Sequence, residues 1–529
     1  MRIRPSFVAL VVGVVGVVGV AGGRAGAAPE RVDLTLAAVF SDHAVLQRDR
    51  PLPVWGFTEP GEAVTVTLAG KTAKATADAS GRFLATLEAL PAGGPYELVA
   101  EGRTRVVASD VLVGEVWLAS GQSNMAMTVG GVRDADAESA SATLPSIRMF
   151  TSAMRPSGEL EADVRGAWVV AGPDTVKGFS AAAWFFGREI HKALSVPVGL
   201  VVSSVGGTVA EAWTPAEAVA KEPLLAPMWE KAQKATVGYD RPAAEAKWRK
   251  AHKKWKDEAD SDRRAGRNPP PEPPPVSDPR AGLGYPGSLW NGMVAPLAGL
   301  SLRGFLWYQG ESNAGRAEQY RTLFPTLIHA WRAAWGRDEL PFYFCQLANF
   351  GKVAPSGVDS PWAELRDAQL LTMQKTPFTG MAVLIDIGEA ADIHPKNKQE
   401  VGRRLALWAL AKDYGRTDVL CSGPILKGQA AEGGKLVLTF EHAGTGLSTS
   451  DARDPEGFAV ASAKGVFMPA RAKIDGDKVI LSCPKIPHPT QVRYAWAESP
   501  EAATLVNSAG LPASPFRTDA RPGVTDGKD

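Results

Sequence analysis

Two stretches far apart in the chain carry residue types that could run nucleophilic catalysis. In Gly121-Gln-Ser123-Asn-Met125, a serine sits in a tight turn after the apolar run at 111–118. A serine between a buried strand and a helix presents its hydroxyl to solvent, and the helix start offers free N–H groups and a positive dipole end to an oxyanion. The pattern is not the G-x-S-x-G elbow. Taken alone it also reads as a plain helix N-cap, a role serine favours. A serine hydroxyl is a weak attacker and needs a base. Of the seven histidines, His191, His252 and His329 fall in helical patterns, His442 and His488 in a late β region, and His43 in an early one. His394, in Asp392-Ile-His394-Pro395, lies in a polar loop after a strand pattern ending at Asp386. Asp392 could hold one ring nitrogen and leave the other facing Ser123.

Two more polar loops follow strand patterns. Trp307-Tyr-Gln-Gly-Glu-Ser-Asn313 offers the side-chain amides of Gln309 or Asn313 to an oxyanion, with Glu311 to order its neighbours. Gly206-Gly207-Thr208 offers backbone N–H groups that a ligand can approach closely. Gln122 and Asn124, on either side of the serine, are further candidates for oxyanion or substrate contacts.

The elements that must position these loops follow from periodicity. Residues 32–110 alternate short β-branched runs with Gly and Pro punctuation, which predicts an N-terminal β-sandwich. From 111 to 412, strand patterns at 111–118, 196–204, 302–308, 341–347 and 381–386 alternate with helical ones at 181–194, 317–336 and 399–412. That order predicts an α/β catalytic domain with a mostly parallel sheet covered by helices on both faces. Ligands of such sheets bind beyond the carboxyl ends of the strands. Residues 222–275 interrupt the pattern with a charged helical insertion and a proline-rich stiff connector, either a surface excursion or a shaper of substrate access. Residues 416–517 return to β patterning, which predicts a second, C-terminal β-sandwich-like domain, and 518–529 read as a disordered tail.

With 529 residues, several domains are expected. Lys+Arg at 58 against Asp+Glu at 57 gives no electrostatic footprint for nucleic acid or an anionic membrane. Residues 1–27 have the layout of a secretory signal: Arg2 and Arg4, an apolar run, then Ala25-Gly-Ala27. The expectation is a secreted or periplasmic protein with no stable membrane anchor after cleavage. Cys345 reads as a core thiol, and a Cys421–Cys483 disulfide is left open.

Together, Gly-Gln-Ser-Asn-Met, Gly-Gly-Thr with Glu211-Ala-Trp213, Trp-Tyr-Gln-Gly-Glu-Ser-Asn and Asp-Ile-His-Pro-Lys-Asn-Lys398 resemble the sialate O-acetylesterase family of the SGNH-hydrolase superfamily. Val45-Leu-Gln-Arg48, Ser288-Leu-Trp-Asn-Gly-Met293, Leu365-Arg-Asp-Ala-Gln369 and Gly510-Leu-Pro-Ala-Ser-Pro-Phe516 extend the likeness over about 33–517, outside 222–275. The resemblance implies an SGNH-like, flavodoxin-like sheet and a serine esterase acting on O-acetyl esters of sugars, with sialate or acetylated xylan the two substrate classes. It implies Ser123 as nucleophile, His394 as base and Asp392 as its orienting carboxylate. The Ser123 and Gly207 N–H groups and Gln309 form the implied oxyanion hole, with Asn313 the other choice for the side-chain donor. No metal or cofactor is called for, and the oligomeric state is not readable. The alternatives are a sugar-binding protein without catalysis, given 15 Trp, and a glycosidase using two of Glu115, Glu311 and Asp386.

Overall fold

A computed structural model describes residues 32–528; the signal segment expected at 1–27 lies outside them. The centre is a mixed sheet. Its main path holds β1 (Arg105–Gly121), β2 (Ile147–Thr151), β3 (Trp168–Val170), β4 (Val198–Ser204), β5 (Gly304–Tyr308), β6 (Phe342–Cys345) and β7 (Thr379–Ala382), in the order β3-β2-β4-β1-β5-β6-β7, and four more strands (Val45–Gln47, Ala63–Leu68, Lys71–Thr76 and Gly93–Glu101) branch from β1 off that path. All neighbouring pairs on the main path are parallel except β3 with β2.

Every residue of β1 from Val111 to Gly121 is buried, as a strand covered on both faces requires. Alternation along the strands sorts the side chains into two cores. Trp117, Ala119, Leu200, Leu306 and Tyr343 pack with α2 (Ala181–Leu194) and α6 (Lys398–Lys412). Leu118, Phe305, Trp307, Phe342 and Phe344 pack on the other face with α4 (Ala317–Ala334) and with Leu365 and Ala368 of α5 (Pro361–Lys375). The one-turn α1 (Ser123–Ala126) precedes α2 in the chain, and the long α3 (Arg241–Arg264) follows it. The caps follow sequence chemistry: the Ser180, Asp240, Ser360 and Asn397 side chains accept N–H groups in the first turns of α2, α3, α5 and α6.

Further antiparallel sheets precede and follow this sheet. Thr35–Leu36, Leu52–Phe57 and Arg82–Leu87 form one, and two four-stranded sheets are built from segments between Ile425 and Arg517. Three details differ from the sequence reading. The boundary expected at 110/111 falls inside β1, whose first half pairs antiparallel with Gly93–Glu101 and whose second half enters the parallel sheet. Asp110 takes a left-handed turn (φ 55°) at that change of partners, and Arg148 and His43 hold its carboxylate. Residues 518–528 are docked rather than loose. Asp519 pairs with Arg493 at 2.8 Å, and Thr525 is fully buried against the Glu364 carboxylate. Cys345, Cys421 and Cys483 are free thiols, so Cys421 and Cys483 form no disulfide. Among the described residues, no helix is long and apolar enough to cross a membrane.

Candidate active site

β1 sits between β4 and β5, where the chain crosses from one side of the sheet to the other, the kind of position that opens a crevice in α/β sheets. The carboxyl ends of β1, β4, β5 and β7 feed Ser123, Gly206–Gly207, residues 309–313 and the 383–397 loop respectively. Gly121, the last residue of β1, has φ 137°, and a Cβ there would collide with the Tyr308 carbonyl of β5. Only glycine lets the two strands close up before the turn to Ser123.

Ser123 is the first helical residue, and Gln122 holds the N-cap position without a side-chain cap bond. The serine is therefore not a cap. Its hydroxyl instead lies 2.8 Å from His394 Nε2. α1 is a single turn, too short for the dipole expected from the sequence to matter, which leaves individual N–H groups as the available donors. Among the described residues, neither the Ser123 nor the Gly207 N–H donates a recorded hydrogen bond. Gly206 borders the serine, since a Cβ on it would sit 3.5 Å from Ser123 Cβ. Gly207 has φ 73° with open space around it.

Asp392 is near the base but differently engaged than expected. Its Oδ1 accepts the backbone N–H of His394 at 2.9 Å and stands 3.7 Å from ring Nδ1, beyond hydrogen-bond length. Gln309 is bonded within the protein at both ends of its amide. Its amide nitrogen donates to Thr208 O (3.2 Å) and Asn313 Oδ1 (2.6 Å), and its oxygen accepts from Tyr320 (3.0 Å). Both amide hydrogens are committed, and the side chain is fully buried, so it has none to give a ligand. Asn313 accepts the Ala210 N–H and donates to Glu211, which Arg316 also holds. Gln309 and Asn313 thus tie the Gly207 loop to the loop after β5. Gln122 Oε1 accepts the Ser312 N–H, and among the described residues its amide nitrogen has no hydrogen-bond partner.

Asn124 and Glu311 are joined, Asn124 Nδ2 donating to Glu311 Oε1 at 2.6 Å. Burial raises the Glu311 carboxyl above its usual range, against the pull of Asn124 and Lys398. Lys398 closes the Asp-Ile-His-Pro-Lys-Asn-Lys motif, which by itself assigns it no role. It is fully buried, and burial lowers its amine to about 8 although Glu311 opposes the shift. The signal that could have found it is its place four residues after His394.

The remaining histidines have other partners or settings. His43 pairs with Asp110, His191 with Val196 O and His252 with Glu272, and burial lowers His329 and His442. The glycosidase carboxylates are also spoken for. Burial pushes Glu115 up, but its partners, Arg303 foremost, outweigh that and hold it below the usual carboxylate range. Arg404 binds Asp386 through both oxygens at 2.6 Å. No tryptophan is exposed; the fifteen are buried or half-buried.

A hydroxyl, an imidazole in contact with it, and unpaired backbone N–H groups on one sheet rim are the parts needed for acyl transfer through serine. Comparison with known proteins places the chain among carbohydrate ester hydrolases. The profile of the carbohydrate esterase family of sialic acid-specific acetylesterases matches residues 113–246 and 287–410. The Rattus norvegicus sialate O-acetylesterase is 30% identical over 531 residues, 92% of this chain and 94% of that one. The Homo sapiens sialate O-acetylesterase is 28% identical, over 93% and 94%. A carbohydrate acetylesterase of known structure from Xanthomonas citri is 37% identical with a TM-score of 0.78, over 92% of this chain and all of that one. The chain belongs to the sialic acid-specific acetylesterase family of carbohydrate esterases.

Proposed function

We propose that the protein removes O-acetyl groups from carbohydrates by a serine mechanism centred on Ser123. It is a carboxylic ester hydrolase whose relatives act as sialate O-acetylesterases or carbohydrate acetylesterases. The observation that carries the mechanism is the 2.8 Å contact between Ser123 Oγ and His394 Nε2. In this reading His394 takes the hydroxyl proton as Ser123 Oγ attacks the acetyl carbonyl. The tetrahedral oxyanion accepts from the Ser123 and Gly207 N–H groups, and collapse returns the proton to the departing sugar oxygen. Water, activated by the same imidazole, then releases acetate from the acetyl-serine. Asp392 stabilises the imidazolium by its charge, and Gln122, rather than Gln309, supplies the side-chain donor. The SGNH, flavodoxin-like assignment of the sheet and the export read from residues 1–27 belong to the same reading.

The test is hydrolysis of 4-nitrophenyl acetate, then of acetylated sialosides and acetylated xylo-oligosaccharides, by wild type and Ser123→Ala. Wild type releases acetate, and Ser123→Ala falls at least about 1,000-fold. Equal hydrolysis by both proteins contradicts the mechanism, and release from only one sugar panel fixes the substrate class.

A further inference from the structure

The contacts of His394 leave a question of mechanics. Its ring touches Ser123, yet among the described residues no hydrogen bond reaches its other nitrogen, and the Asp392 carboxylate is engaged with the backbone N–H. Something else must fix where the imidazole stands.

The peptide groups on either side of His394 are both held. Asn124 Nδ2 donates to Ile393 O at 2.9 Å, and Lys398 Nζ donates to Pro395 O at 2.7 Å. The same Lys398 nitrogen donates to Asn124 Oδ1 at 2.7 Å, and Glu311 accepts from Asn124 Nδ2. One closed cluster therefore joins the residue next to the nucleophile, the loop after β5, the start of α6 and the two carbonyls that bracket the base. We propose that Asn124, Glu311 and Lys398 are positioning residues, a clamp that sets the His394 imidazole against Ser123 by gripping its backbone. The proposal rests on the reading that His394 serves Ser123.

Two features favour positioning over mere packing. Asn124 follows Ser123 directly within one helical turn and is 1% exposed, so a bond from it to residue 393 fixes the base relative to the nucleophile with one intervening peptide. Burying an ammonium is costly unless it is paired and hydrogen-bonded, and apolar side chains of similar volume often serve stability as well or better. Lys398 is buried all the same. Facing it are Glu311 from the loop after β5, Glu389 and Asp392 from its own loop, the Cys345 thiol of β6 and the ring of Tyr308 of β5, 5.3 Å away. A side chain whose burial carries that cost, spent on Asn124 and on the carbonyl beside the base, is suited to geometry at the site.

A double-mutant cycle on 4-nitrophenyl acetate decides it. Lys398→Met, Asn124→Ala, Glu311→Gln and Glu311→Ala are each made in the wild-type and His394→Ala backgrounds, with thermal melts to confirm folding. In the wild-type background, Lys398→Met and Asn124→Ala should lower kcat about 10- to 100-fold, as misplacement of a reacting group does, with KM within about threefold. Glu311→Gln, which keeps the acceptor for Asn124, should retain more activity than Glu311→Ala. In the His394→Ala background, where the positioned group is gone, the same changes should alter the residual rate less than about twofold. Cooperatively melting single variants with kcat within twofold of wild type overturn the clamp. Losses that multiply equally in both backgrounds also overturn it, because they show effects that do not pass through His394. A Ser123→Ala control as active as wild type instead identifies the nucleophile assignment as the part that failed.

Discussion

The Asp392 carboxylate accepts the backbone N–H of His394 at 2.9 Å while standing 3.7 Å from the ring nitrogen of the same residue. A carboxylate so placed makes no hydrogen bond to the ring, so in the proposed mechanism it acts through its charge and the loop rather than by fixing the imidazole tautomer.

Replacement of such a group is milder than in enzymes where the carboxylate bonds the ring, for which Asp→Asn costs about 10,000-fold. For Asp392→Asn we expect a kcat loss of about 10- to 100-fold, against a larger loss for His394→Ala. Steady-state rates on 4-nitrophenyl acetate check this; equal losses for the two variants would mean that the carboxylate closes onto Nδ1 during turnover.

The two glycines at the site should respond differently to an added methyl group. At Gly121 a Cβ runs into the Tyr308 carbonyl of the neighbouring strand. Gly121→Ala should therefore part β1 from β5, lower Tm and reduce kcat more than tenfold. At Gly207 there is open space, and only the positive φ opposes alanine, at about 1–2 kcal/mol. Thermal denaturation of the pair tests the contrast, which fails if Gly207→Ala loses as much Tm as Gly121→Ala.

Lys398 should leave a signature in stability against pH. Burial lowers its amine to about 8 from the ordinary 10.5. Below 8 the lysine is charged in both folded and unfolded chains, and the penalty is constant. Between about 8 and 10.5 the unfolded chain holds the proton more tightly, so folding gains stability as pH rises. The gain amounts to about 3 kcal/mol at 1.36 kcal/mol per pKa unit. Urea denaturation of wild type and Lys398→Met at pH 7, 8 and 9.5 reads this as a difference. Wild type should improve relative to Lys398→Met as pH rises; an unchanged difference would mean the amine titrates normally.

Much of the site was legible because its chemistry sits where turn chemistry is also visible. Ser123 and His394 lie in polar loops with Gly and Pro punctuation after apolar runs, and that arrangement alone singled out His394 among the histidines. Helix ends such as Ala181–Leu194 matched because a serine cap and a small-residue buried face mark them in one dimension. The role of Gln309 was not legible, since it depends on Tyr320 and Thr208, which approach it only after β4, β5 and α4 have packed. Lys398 was passed over because a lysine at the start of a helix ordinarily reads as solvent-facing. The segment after 517 looked loose by composition, but composition does not show that Arg493 and Glu364 await Asp519 and Thr525.

The central claim is that Ser123 carries the acetyl group during turnover. Acid quenching of the enzyme during steady-state hydrolysis of 4-nitrophenyl acetate, followed by peptide mass spectrometry, tests it directly. The peptide containing Ser123 should gain about 42 Da, the mass of an acetyl group replacing a proton, with no such adduct in Ser123→Ala and far less in His394→Ala. Full turnover by an enzyme whose Ser123 peptide stays unmodified, with Ser123→Ala equally active, would contradict it.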